Sequence, residues 1–130
     1  MSLSQRIADL AAAIGAQIKV RIKADHPGLA RAWVSFGYAS NRITIRSSFN
    51  VRSVTREATG KYRVTFASAM SDADYCWSAL ARNTGSQSTL KFASARVNAE
   101  AKTADYVEVI CSSQSGSLTD TTEMNLMVYR

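Results

Sequence analysis

The chain has 130 residues, 46% apolar and 20% charged, which fits one folded domain with a real core and excludes a disordered chain. Its formal charge is +6, yet residues 1–65 carry +8 and residues 66–130 carry −2, so the basic excess is local. No apolar run approaches the roughly 18 residues of a membrane span, and Met1-Ser2-Leu3-Ser4-Gln5 reads as a cytosolic start rather than a secretory leader.

The first element, LSQRIADLAAAIGAQ, is a helix. Leu3, Ile7, Leu10 and Ile14 recur at spacings of four, three and four, which puts them on one narrow stripe. Ser2 or Ser4 is placed to cap its amino end. Two heptads make a marginal helix in water, so the stripe has to pack on something. Beyond Gly15 two patterns compete. Ile18, Val20 and Ile22 alternate with Lys19, Arg21 and Lys23 as in a strand, while Ile14, Ile18 and Ile22 continue a helix. The alternation favours a helix that stops near Gln17. Asp25-His26-Pro27-Gly28 is then a firm break. The chain divides into a helical oligomerisation segment at 1–24, a hinge at 25–29 and a β-domain at 30–130.

From residue 30 strands follow one another at 31–36, 42–46, 49–55, 60–67, 74–82, 88–98, 105–112 and 123–129. Turn residues part them, such as Ser40-Asn41, Thr59-Gly60 and Asn83-Thr84-Gly85. Short strands at this spacing, with no helix between them, predict a mainly β fold, an antiparallel β-sandwich or a barrel-like relative of one. The predicted core holds Trp33 or its neighbours Val34 and Phe36, then Ile43, Ile45, Phe49, Val51, Tyr62, Val64, Phe66, Phe92, Val107, Val109, Leu126 and Val128. Cys76 and Cys111 are too few and too distant for a disulfide framework and read as two reduced core thiols.

Signs of chemistry are sparse. The one histidine, His26, lies in the hinge, and no G-x-S-x-G elbow accompanies it. Asp72 and Asp74 flank a turn, and Asp105 and Glu108 fall on opposite strand parities, so neither pair suits glycoside hydrolysis. No metal-ligand spacing and no phosphate-cradling glycine loop occurs. The expectation is a non-enzymatic protein without cofactor or metal. Arg42, Arg46, Arg52, Arg56, Lys61 and Arg63 form a basic set on strand positions that read as water-facing. Nucleic-acid binding would ask for stacking aromatics beside them, and the aromatics here sit on the apolar parity. A solvated face, or a contact with an acidic protein surface or an anionic glycan, is the simpler reading.

The stretches Ala32-Trp33-Val34-Ser35-Phe36, Ile45-Arg46-Ser47-Ser48-Phe49-Asn50-Val51, Thr59 to Phe66, Ala69 to Tyr75 and the ending Asn125 to Arg130 form a familiar pattern. It resembles the carboxy-terminal β-domain of bacteriophage tail-fibre and related virion proteins, well over residues 30–80 and loosely elsewhere. The resemblance implies a phage structural protein in the virion, made in the host cytoplasm and trimeric. Such a protein attaches to the host surface or decorates the particle. It carries over no catalytic residues. Ile and Leu alternating in the stripe favour two strands in model coiled coils, whereas the resemblance implies three. The partners expected are its own copies through Leu3, Ile7, Leu10 and Ile14, other virion proteins, and a host glycan or receptor. The receptor would be met at polar loops: Ser40 and Asn41; Asn83, Thr84, Ser86 and Gln87; Ser113 and Gln114. A head-decoration, spike or connector protein is the alternative, and a nucleic-acid-binding β-domain a third.

Overall fold

A computed structural model describes residues 1–23, 25–85, 89–96 and 99–130. One helix, α1 (Leu3–Arg21), precedes eight strands: β1 (Ala30–Ala39), β2 (Arg42–Phe49), β3 (Val51–Ala58), β4 (Lys61–Phe66), β5 (Cys76–Arg82), β6 (Lys91–Ala95), β7 (Tyr106–Ser113) and β8 (Glu123–Tyr129). They pair antiparallel into two four-stranded sheets, ordered β2-β1-β8-β5 and β3-β4-β7-β6. The fold is a β-sandwich with open sheets.

The core lies between the inner faces. β1 gives Ala32, Val34 and Phe36, β4 gives Tyr62, Val64 and Phe66, β7 gives Val107, Val109 and Cys111, and β8 gives Met124, Leu126 and Val128. Each of the larger side chains contributes about 1.5–3 kcal/mol by leaving water. One edge-to-face aromatic pair bridges the layers, Phe36 with Tyr62 at 5.3 Å, and a second packs Tyr75 of the β4–β5 connection on Phe66 at 5.6 Å. Among the described residues every buried side-chain polar atom has a hydrogen-bond partner.

Of the two readings of β1, the structure takes the one with Val34 and Phe36 inward and Trp33 outward, while several other core expectations are corrected. In β2 the pairing with β1 slips at Arg46, where an extra residue enters the strand. The bulge reverses the parity, so Ile43 and Ile45 point in while Phe49, paired with Trp33, points out. Ile45 stays exposed because β2 is an edge strand. Phe92 is exposed because Ala93 and Ala95 take the inner parity of β6. Cys111 is a buried free thiol as expected, but Cys76 is free and exposed, since Trp77 faces inward.

The helix is corrected as well. It runs past Gln17 to Arg21, so Ile18 and Val20 are helical. The Ser2 hydroxyl caps it by accepting from the Gln5 amide at 3.2 Å, and Lys19 and Arg21 suit the negative end of its dipole. No α1 residue is buried.

Two connections show why specific residues were needed. Gly37 lets the backbone of Thr122 approach so closely that a Cβ would sit 2.0 Å from its carbonyl oxygen. Asn50 adopts φ 53°, a left-handed conformation that asparagine tolerates, and carries the chain from the first sheet to the second in a single residue. Its side chain donates to the Arg31 and Ser68 carbonyls and accepts from the Ser68 amide.

Candidate functional site: an apolar helix and an opposite loop end

The helix and the polar loops occupy opposite ends of the sandwich. β1 enters at Ala30 and runs to the Ser40-Asn41 turn. β5 runs alongside it in the same sense, through the antiparallel β8, and delivers Asn83 and Thr84 to that same end. β7 ends there too, because Lys61, beside the Thr59-Gly60 turn, pairs with Ile110, and Ser113 and Gln114 follow. All three predicted loop groups therefore converge, through Ser40 with Asn41, Asn83 with Thr84, and Ser113 with Gln114. Ser86 and Gln87 lie outside the described residues.

A fixed floor underlies these loops. The Asp120 carboxylate accepts two hydrogen bonds from Arg56 at 3.0 and 2.9 Å, one from the Gly60 amide at 3.0 Å and one from the Tyr62 hydroxyl at 2.8 Å. Burial alone would raise the Asp120 pKa, but these bonds outweigh it and hold the carboxyl at about 2. Burial, followed by the bond to Asp120, pushes Tyr62 up from its ordinary value. The Arg56 guanidinium also stacks 4.6 Å over the Tyr38 ring. Lys91 donates to the Thr119 hydroxyl and the Asp120 carbonyl. Thr122 ties down Asn83 and Thr84, the hydroxyls of Thr84 and Thr122 lying 3.0 Å apart. The Ser40-Asn41 turn has φ 52° and 59°, and Asn41 accepts from the Tyr38 hydroxyl at 3.3 Å. The Asn83-Thr84 connection is thus held by a neighbouring segment, while the Ser40-Asn41 and Ser113-Gln114 turns are held largely by bonds of their own.

The basic residues do not gather on one face. Arg42 and Arg46 stand on β2 in the first sheet, and Arg52, Arg56, Lys61 and Arg63 on β3 and β4 in the second. Arg56 turns toward Asp120, Arg46 donates to the Thr122 carbonyl, and Arg63 pairs with Glu108 at 2.7 Å. Glu108 lies on the outer face of the second sheet yet is only 4% exposed, because Arg63 and Arg96 cover it. Burial pushes its carboxyl up, and the bonds from both guanidinia bring it below its ordinary value. Neither carboxylate network was readable from the sequence, since the partners are far apart along the chain. The remaining candidates have local roles: His26 accepts from the Gly28 amide, and Asp72 accepts from the Asp74 amide and from Arg130.

At the other end stands the apolar stripe. Leu3, Ile7, Leu10, Ile14, Ile18 and Ile22 are 52–74% exposed. Their spacings are four, three, four, four and four. A strict heptad would have placed Gln17 and Arg21 on the seam, so the pattern contains a four-residue stutter after Ile14. No helix among the described residues is long and apolar enough to cross a membrane, and no three metal-ligating side chains cluster among them.

Set against known proteins, the chain matches no family model, no curated sequence and no solved structure closely enough to assign kinship.

Proposed function

We propose that this chain is a non-enzymatic structural protein of a phage virion, a fibre-tip-like module. Three copies associate through α1 and present their loop ends to a host-surface glycan or receptor. One observation carries the reading: an unburied apolar stripe and a supported set of polar loops stand at opposite ends of one sandwich. A helix with no buried residue gains its stability from packing, and a parallel bundle of identical helices supplies that packing without blocking the loops. The likeness of residues 30–80 to phage fibre β-domains supports the virion setting and the choice of three copies.

Light scattering on the full chain tests it. The expected mass is three times the 14.1 kDa of one copy, falling to a single copy in the Ile7→Asp, Ile14→Asp double variant. A wild-type chain that stays monomeric at every concentration overturns the reading and favours a decoration protein that assembles only on its particle.

A further inference from the structure

The outer face of the first sheet has an apolar end and a polar end. Phe49, Trp33 and Met127 lie in register on neighbouring strands, with Ser78 completing the row. Phe49 is 53% exposed and Met127 41%. One step away on β5 stands Leu80, 73% exposed, and at the helix end of the same strand lies the exposed Cys76. Further from the helix the face becomes charged, with Arg82 paired to Glu123 at 2.8 Å. The apolar row lies toward the helix end, where Leu29, Ala30 and Phe49 share a groove with the charged Asp25, Arg31 and Arg130.

We propose that this apolar row is the second half of the self-association surface, packed against the same row of neighbouring copies around the bundle axis. The inference rests on the helical assembly proposed above. Area favours this occupant. The six stripe residues, 52–74% exposed, offer on the order of 600 Å² per copy, short of the roughly 800 Å² each partner gives in a standard interface. Continuity favours it as well. Only residues 22–29 separate α1 from β1, a link of at most about 30 Å, so a parallel bundle holds neighbouring sheets at roughly millimolar effective concentration. Rotational symmetry then turns three identical faces toward one axis, with the charged rows left nearer the loop end.

Sedimentation equilibrium on the full chain, with alkylation of Cys76 by iodoacetamide, decides the matter, and buried Cys111 serves as the slow control. The Leu80→Lys, Met127→Lys double variant alters only outward-facing positions. It is expected to keep its circular dichroism while the concentration for half-dissociation rises at least tenfold. In the wild type Cys76 should react several-fold more slowly when assembled than when diluted to monomer, a readout that needs no variant. Unchanged association in the lysine variant, with Cys76 equally reactive in assembled wild type, overturns the inference. If Ile7→Asp, Ile14→Asp is nevertheless monomeric, the helical assembly survives that failure. A wild type that never associates removes both. Protection of Cys76 only after lipid vesicles or host cells are added assigns the face to another occupant and also overturns it.

Discussion

Asp120 receives bonds from Arg56, Gly60 and Tyr62, which belong to different strands and turns, so its charge is tied to the closing of the sandwich. Its carboxyl titrates at about 2 when folded, below the ordinary 3.8. A depressed folded value means the stabilisation is fully present above the unfolded pKa and is lost as pH falls from about 4 through 2. Asp120→Asn should therefore cost on the order of 2 kcal/mol near neutral pH, and the cost should shrink toward pH 2. Urea melts of both proteins at pH 7, 4 and 2.5 would show it. A constant difference across that range would mean that the lost geometry, and not the charge, matters.

The helix and the strands differ in how openly their sequences announced them. All eight strands were legible because alternation and turn residues both report the two-residue period of a pleated chain. The burial of β2 was not. The bulge at Arg46 carries no glycine or proline to mark it, yet it sends Phe49 to the opposite face from Ile45. Edge position is equally silent, since it depends on sheet order, and that is why Ile45 is exposed. The helical end was misjudged because Lys19, Val20 and Arg21 alternate like a strand, while Ile14, Ile18 and Ile22 bear the helical spacing that prevails. That extension makes a sharp expectation. Ile18→Asp should weaken assembly about as much as Ile14→Asp, whereas Val20→Asp, off the stripe, should leave the mass unchanged by light scattering. Equal effects of the two would rule out a stutter that brings Ile18 onto the seam.

Over the molecule as a whole, the alternating strand directions sort the connections into two ends, and the polar loops share the end far from α1. The loop residues could be named from the sequence, but their convergence could not, because it needs the sheet order. If the loop end meets the host surface, Thr84→Arg with Gln114→Trp should reduce capture of cells or lipopolysaccharide at least about tenfold. Oligomer mass should stay as in the wild type, because both side chains are exposed and far from the helix, and the thermal midpoint should fall only by what the lost Thr84–Thr122 bond contributes. Asp74→Arg, in the β4–β5 connection at the helix end, is the matched control and should bind normally. Equal losses in both proteins would point to a general charge effect instead of a binding end.

The place of β1 in its sheet has a mechanical side. It is the strand directly joined to the helix, and it lies between β2 and β8, not at an edge. Tension applied between the helix and the far loops pulls β1 along its own length. Its interstrand hydrogen bonds run across that direction and share the load together, on both flanks. An edge strand attached to the same tether would open one bond after another. The chain thus meets a steady pull in shear, and its anchoring strand is the one that must slide past two neighbours before the sandwich can come apart.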